Sequence, residues 1–486
     1  MTGMTDRSTD GHFGASETRV RRRRFVKLTC ATGVTASVAG CFGTGNGNSA
    51  LQLTATNEWQ DNSDAIQQAL YDAGMSEDIE MEFISGGQNT DEMQNQYSQW
   101  LNASQSKPDL LAFDSGWTLP FIVRGQILNL ENELPDGVLE TVQNDYFEQS
   151  VNSVTNQDSE LFGVPLYPDF PTIQYRSDLV EDAGYDWEQY STDPMSWEQF
   201  SHELADVYEQ SDVSYGYNWQ AASEIQLACC VFNEFLSSWG GAFFGAPEEN
   251  LYGPVGDRPV TVDEEPVLES LRMARTFIHG SDAPDTLDEF AGNITSEEAF
   301  QWGLPPSMSP FTDGDAVALR NWPYSINING ATDALGEDMG VMPMPYGVPE
   351  GEGEYAGTGG SVGALGGWNY CVNPNTNQSE DCLEFLEALT TEEFQLRNFE
   401  LVGHIPPNPD ILENASDVPV MGRYLDALSF AGDNTMARPV TPVWSQQVDP
   451  VAQEVNAALM GDSGVEEAMS SLGSTLSDIE SSYSNS

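Results

Sequence analysis

Leu51-Gln52-Leu53-Thr54-Ala55-Thr56, Ile79-Glu80-Met81-Glu82-Phe83-Ile84 and Pro108-Asp109-Leu110-Leu111-Ala112-Phe113 are the stretches on which the fold is read. The first two alternate apolar and polar residues, as half-buried strands do, and the third is nearly continuous in apolar residues, as a strand covered on both faces would be. Between them, residues 64–71 and 90–103 have helical periodicity, with Met93, Tyr97, Trp100 and Leu101 sharing one face of the second. Strand, helix, strand, helix, strand predicts a parallel sheet with helices on both sides, an α/β architecture.

Outward from this core, Phe162-Gly163-Val164-Pro165-Leu166-Tyr167 predicts a further extended segment and residues 177–183 a helix. Another helix is expected at 197–208, opened by the capping box Ser196-Trp197-Glu198-Gln199. Residues 222–239 and 264–279 read as helices, Ala316-Val317-Ala318-Leu319-Arg320 as an apolar strand and 361–372 as a Gly-rich extended run. Helices at 381–390, 391–399, 450–460 and 465–476 follow. A chain of 486 residues exceeds what one hydrophobic core serves, so two lobes are expected.

Acidic residues number 77 against 17 basic ones, for a formal net charge of -60. Seven of the basic residues precede Cys41, and Lys107 is the one lysine after it. The acids are spread rather than blocked, which reads as a surface built for very high salt. At molar salt the Debye length shrinks to about 3 Å and the self-repulsion is screened. A nucleic-acid partner is excluded by the lack of basic patches.

The first fifty residues read as an address. Arg21-Arg22-Arg23-Arg24-Phe25-Val26-Lys27, a modest apolar run and Val38-Ala39-Gly40-Cys41 form a signal peptide over residues 1–40, twin-arginine in type, ending in a lipobox. Cys41 is then the lipidated first residue of the mature chain, and 41–50, rich in Gly, Asn and Ser, is a tether reaching roughly 15–18 Å. The protein is expected on the extracellular face of the cytoplasmic membrane, held there by lipid. Cys229, Cys230, Cys371 and Cys382 have no metal spacing, and Cys229 and Cys230 read as buried thiols.

A set of motifs in fixed order carries a resemblance. These are Lys107-Pro108-Asp109-Leu110 with Phe113-Asp114-Ser115-Gly116-Trp117; Gly163 to Asp169; Gln174-Tyr175-Arg176-Ser177-Asp178-Leu179; and Pro194-Met195-Ser196-Trp197-Glu198-Gln199-Phe200. Gly314 to Leu319, Asn321-Trp322-Pro323-Tyr324, Gly366-Gly367-Trp368, His404-Ile405-Pro406-Pro407 and Ala437-Arg438-Pro439-Val440-Thr441-Pro442 complete them. Over about residues 51–476 the chain resembles the family 1 extracellular solute-binding proteins of ABC importers, in their trehalose- and maltose-binding branch, in a haloarchaeal form. The resemblance implies a two-lobe periplasmic-binding-protein-like fold, with hinge strands crossing between the lobes and a central ligand cleft. It implies a first lobe of 51–165 plus 316–366 and a second of 166–315 plus 367–486. It also implies a non-enzymatic monomer without cofactor or metal, whose partners are a sugar and the importer's permease subunits.

Sugars present hydroxyls at the rim and C–H faces above and below, so carboxylates and aromatic plates suit them. Asp114 follows an apolar strand, at the carboxyl end where α/β sheets bind ligands. Tyr167 and Asp169 flank Pro168, and alternation puts them on one face. Trp322 and Tyr324 flank Pro323, and Trp368 follows Gly367, whose missing side chain admits close approach. The resemblance implies that Asp114, Tyr167, Asp169, Trp322, Tyr324, Gly367, Trp368 and Arg438 contact the sugar, with Arg438 as a hydroxyl donor that also pairs Asp169. Glu58, in the loop after the first strand, is a further candidate. Two other readings stay open: a binder of a non-sugar solute such as a polyol or polyamine, and a secreted glycoside hydrolase using two carboxylates.

The charge balance yields a test. Residues 51–486 are expected to hold their fold in molar salt and lose it below about 0.5 M, as screening weakens. Circular dichroism through a salt series checks this, and full stability in dilute buffer would contradict the high-salt reading.

Overall fold

The computed structural model describes residues 50–86, 90–156 and 158–484. The signal peptide, the lipobox and the expected lipidation at Cys41 lie outside these residues. Among the described residues there are ten strands: β1 (Leu51–Ala55), β2 (Met81–Ser85), β3 (Leu110–Asp114), β4 (Val164–Asp169), β5 (Thr172–Arg176), β6 (Tyr215–Asn218), β7 (Ala316–Asn321), β8 (Met339–Met342), β9 (Gly363–Val372) and β10 (Thr435–Ala437).

They form two sheets. The first runs β10-β9-β3-β1-β2 with β4 also on β9, and the second runs β6-β7-β5-β8. β1 pairs in parallel with both β2 and β3, as the strand–helix alternation predicts. β9 is antiparallel to β3 and to β4. In the second sheet β7 is buried along its whole length, which its unbroken apolar start at Ala316 requires. β5, β6 and β8 are four or five residues long, and they are defined by pairing: β5 and β6 with β7, and β8 with β5.

Each sheet has its own hydrophobic core. Leu51, Leu53, Leu110, Ala112, Tyr370 and Val372 face one cluster with Phe385 and Leu386, while Leu111, Phe113 and Cys371 face a second with Tyr97 and Phe121. The second sheet packs Ile173, Tyr217, Val317 and Ala318 against helices that include Trp444–Met460 and Val465–Ser484. Its other face, through Ala316, Leu319, Met339 and Val341, meets Ile405, Leu412 and Leu428. Full burial of one large aliphatic or aromatic side chain contributes roughly 1.5–3 kcal/mol, so these layers hold the elements in place.

The sheets divide the chain differently from the expected lobe boundaries. Residues 316–366 were assigned to the first lobe, yet β7 and β8 belong to the second sheet. Residues 367–486 were assigned to the second, yet most of β9 and the helices Ser379–Leu389 and Glu392–Val402 pack with the first. The reason is hydrogen-bond pairing: β7 is placed by β5 and β6, not by its position after a helical region. The chain crosses from the first sheet to the second between Asp169 and Thr172, and returns between β8 and β9. It touches the first sheet again at β10 before the final helices join the second core.

Residues 222–239 do not form one α-helix: a π-helical turn, Leu227–Val231, precedes the helix Phe232–Ser238. Within it the adjacent Cys229 and Cys230 are buried, as read, and bonded to each other, a pairing the sequence leaves open, while Cys371 and Cys382 are free and buried.

Half of the capping box forms: the Ser196 hydroxyl accepts from the Gln199 backbone amide at 3.1 Å, while the Gln199 side chain donates to the Tyr190 hydroxyl and to Glu203. Ser196→Ala is expected to cost about 1 kcal/mol, read as a lower urea midpoint in molar salt; no change would mean that packing alone holds helix Trp197–Gln210.

Candidate functional site

The site is built where β9 runs between β3 and β4. Asp114 stands opposite Trp368, Trp368 opposite Tyr167, and Asp169 opposite Gly366. Residues directly opposite in an antiparallel pair share a face, so Asp114, Trp368, Tyr167 and Asp169 lie on one side of the strands. A register shift between Pro165 and Tyr167 produces this. Without the bulge Tyr167 would oppose Gly367 and turn to the other face, taking Asp169 with it.

Gly367 makes the approach possible. A Cβ on Gly367, whose φ is +130°, would sit 2.7 Å from the Tyr167 carbonyl oxygen. A Cβ on Gly366 would meet the Asp169 Cβ at 3.4 Å and the edge of the Trp322 ring at 3.5 Å. Trp322 therefore reaches the same face from the end of β7.

Asp114 and Arg438 form a nearly buried ion pair, at 8% and 5% exposure, with Nη2 to Oδ1 at 2.9 Å. The same Oδ1 accepts the Gly116 amide at 2.6 Å, and Arg438 Nη2 also donates to the Ser115 hydroxyl at 2.8 Å. The expected pairing of Arg438 with Asp169 is thus replaced by pairing with Asp114, because Ala437 lies opposite Leu365 in β10 and the next residue faces the end of β3.

Asp169 is half-buried and makes no ion pair within 4 Å among the described residues. Burial pushes its carboxyl well above the usual range; Arg320 pulls it back, while the charges of Glu58 and Asp114 push it further. Glu58 is half-buried in the short helix Asn57–Asp61, not in a loop. Burial, then Asp169, Glu58 and Asp114, raise the Tyr167 phenol; burial, then Glu58 and Asp169, raise that of Tyr324. Both phenols are therefore protonated donors at neutral pH. Tyr324 opens the helix Tyr324–Asn329 rather than continuing a strand, so it does not alternate with Trp322 as Tyr167 does with Asp169.

Trp322 is 5% exposed, with the Arg320 guanidinium 4.4 Å above its ring. Arg320 is held by a buried two-point pair with Glu234, Nε to Oε2 at 2.9 Å and Nη2 to Oε1, and by Gln220 at 3.1 Å. One face of this indole is thus occupied by the protein's own cation. Trp368 is half-buried between the two cores of the first sheet.

Three contributors were not singled out from the sequence. His404 stacks on Tyr167, with ring centroids 3.7 Å apart and planes 19° apart; burial lowers its pKa to about 3, so the imidazole is neutral. Arg320 carried the same signal as Arg438, a rare cation, but stood inside an apolar strand. The Cys229–Cys230 pair meets Arg438, with Nη1 3.9 Å from the Cys229 sulfur. Trp117 is core, at 4% exposure.

A cavity of about 280 Å³ opens nearby, bounded by Leu119, Gln149, Tyr252 and Val440. It also touches Leu365, Gly367 and Asn369, and Asn369 turns away from Trp368 to donate to Ser153 at 3.1 Å. Tyr167, Gly367 and Arg438 of the expected site line it together with Ser115 and Gly366, whereas Asp114, Asp169, Trp322 and Trp368 do not. The cavity therefore joins the candidate site at Tyr167 and Arg438.

Asp169 gives a signed prediction. Its folded pKa is raised, so the stability it contributes is present at low pH and is lost as pH rises through the raised value. Asp169→Asn removes a charge that folding disfavours. The ligand-free variant is expected to melt about 1–3 °C higher at neutral pH. The gain should vanish towards about pH 4, where the unfolded carboxyl also protonates. Calorimetry in molar salt checks this; a lower melting point at neutral pH would contradict the assignment.

Comparison with known proteins places the molecule. Residues 68–419 match the family model described as bacterial extracellular solute-binding protein. A probable ABC transporter-binding protein of Deinococcus radiodurans is 23% identical over 399 residues, covering 79% of this chain and 83% of that protein. The structure of maltose-bound MalE3 from T. maritima superposes with a TM-score of 0.71 at 21% identity, covering 88% of this chain and 98% of that one. A solute-binding protein of Thermotoga lettingae bound with α-D-tagatose gives a TM-score of 0.67 at 17% identity, over 88% and 98% of the two chains. With the two sheets and the strands that cross between them, the chain belongs to the bacterial extracellular solute-binding proteins, non-enzymatic components of ABC transporters with a two-lobe periplasmic-binding-protein-like fold.

Proposed function

We propose that the protein binds a short sugar, a disaccharide such as maltose or trehalose, and delivers it to the permease of an ABC importer. In this reading it works as a monomer on the outer face of the membrane, anchored by lipid at Cys41, in molar salt. The observation that carries the sugar assignment is the gathering of Asp114 and Asp169 with Trp322 and Trp368 on one face of the crossing strands. Carboxylates accept sugar hydroxyls, and indoles cover the apolar C–H faces. The protonated phenols of Tyr167 and Tyr324 and the guanidinium of Arg438 add donors to the same place. Gly367 exposes backbone beside Trp368, and Glu58 supplies a further acceptor. The maltose and tagatose bound by the two structural relatives are consistent with this chemistry. Solute entry would close the two lobes about the crossing strands.

A polyamine is the second reading, favoured by one feature. The charges of Glu58 and Asp169 both act on the phenols of Tyr167 and Tyr324, while Arg438 is taken by Asp114. Acids boxed by aromatic rings also hold organic cations.

Tryptophan fluorescence of residues 51–486 in molar salt, titrated with maltose, trehalose, glucose and spermidine, separates the readings. A saturable response to a sugar is expected. A response to spermidine alone would replace the sugar by a polyamine. Trp368→Ala is expected to weaken sugar binding about ten-fold, or about 1.4 kcal/mol, with the native circular dichroism retained. Unchanged affinity would remove the stacking role.

A further inference from the structure

Arg438 is held from two sides. From β3 come Asp114 and the Ser115 hydroxyl, at 2.9 and 2.8 Å. From the second core comes the Cys229 sulfur, 3.9 Å from Nη1. Cys229 and Cys230 are 3% and 2% exposed and bonded to each other within the π-helical turn Leu227–Val231. One turn further on, the Asn233 amide donates to the carbonyls of Met436 at 3.2 Å and Ala437 at 3.4 Å. The helical segment thus grips β10 by its backbone at Asn233 and underlies the guanidinium of the next residue at Cys229.

From this arrangement we infer that the bonded pair Cys229–Cys230 is a positioning element for Arg438, setting where its guanidinium meets Asp114 and hence how tightly the solute is held. The inference rests on the proposed role of Arg438 in the site. The physical reason is packing. The Cys229 sulfur lies against the guanidinium, and interiors are close-packed. Removing the two sulfurs leaves a void beside the cation, which then loses the surface it rests on. Among the described residues Arg438 has a single carboxylate partner within ion-pair distance, and it borders the cavity of about 280 Å³, so a guanidinium that loses its sulfur contact has space to leave Oδ1 of Asp114. Cys371 and Cys382 are buried in the first sheet's cores, away from this seat, and serve as controls.

The test has three arms. First, the purified protein is unfolded without reductant, alkylated and mapped by mass spectrometry. Cys371 and Cys382 should be alkylated and the peptide carrying Cys229 and Cys230 should not; alkylation of that pair would overturn the inference. Second, Arg438 is probed with phenylglyoxal in the ligand-free folded protein. It should be protected in the wild type and react about ten-fold faster in Cys229→Ala/Cys230→Ala, while Cys371→Ala/Cys382→Ala leaves it protected. Protection in both variants would overturn the inference without any reference to the ligand.

Third, maltose affinity is measured by tryptophan fluorescence in a cycle with Arg438→Gln. Loss of the pair alone should weaken maltose about 3- to 10-fold, and in the Arg438→Gln background it should cost nothing further. Equal losses in both backgrounds would mean that the pair acts only on the general fold. A wild type that binds none of the sugars would instead refute the sugar reading, and the first two arms would still decide the role of the cysteines.

Discussion

Everything at this site depends on how closely β4 and β9 approach one another. The position a Cβ would take on Gly367 is 2.7 Å from the Tyr167 carbonyl oxygen, so that residue can carry no side chain. The bulge between Pro165 and Tyr167 then turns Tyr167 and Asp169 to the face that bears Trp368 and Asp114. Since β4 leads directly into β5 of the second sheet, the strand that presents these side chains also joins the two halves of the molecule. Site and crossing are one piece of backbone, which is the geometry a two-lobe binding protein needs if a bound solute is to report on lobe position.

Electrostatics at the site follow from scarcity. After Cys41 the chain has ten basic residues among a large excess of acids, and two of them, Arg320 and Arg438, stand at the crossing. Each is buried and committed: Arg320 to Glu234 behind Trp322, Arg438 to Asp114 in front of β3. A buried pair gives little net stability relative to a well-packed apolar one, but breaking it by removing one partner costs about 3–5 kcal/mol. Their value here is placement. Arg320 fixes the Trp322 plane, and the two cations together moderate the carboxyl of Asp169, which has no ion-pair partner of its own.

Glu58 and Asp169, which make no ion pair among the described residues, act on two phenols whose protons are held firmly by burial. Such a surface has acceptors and donors interleaved and aromatic area beside them. It is poorly suited to an anion, since Asp114, Asp169 and Glu58 all oppose one. It is suited to a neutral polyhydroxylated solute that can satisfy both kinds of partner.

The sequence by itself determined the parts of this protein that depend on neighbours along the chain. Alternation at Leu51–Ala55 and Met81–Ser85, helical spacing at Thr90–Asn102, the cap at Ser196 and the apolar run into Asp114 are local patterns, and local patterns are legible. So was the set of polar and aromatic residues around prolines and glycines, because such residues fit poorly into regular cores. Tertiary structure decided what depends on residues far apart in the chain. Which sheet a strand joins is chosen by its hydrogen-bonding partners, which for β7 lie about a hundred residues away or more. The partner of Arg438 was misread because Asp114 and Asp169 are equivalent in composition and differ only in which strand end β10 reaches. His404 stacking on Tyr167, the Arg320–Glu234 pair behind Trp322 and the seating of Arg438 on Cys229 are contacts across tens to hundreds of residues, and no spacing rule in a single sequence encodes them.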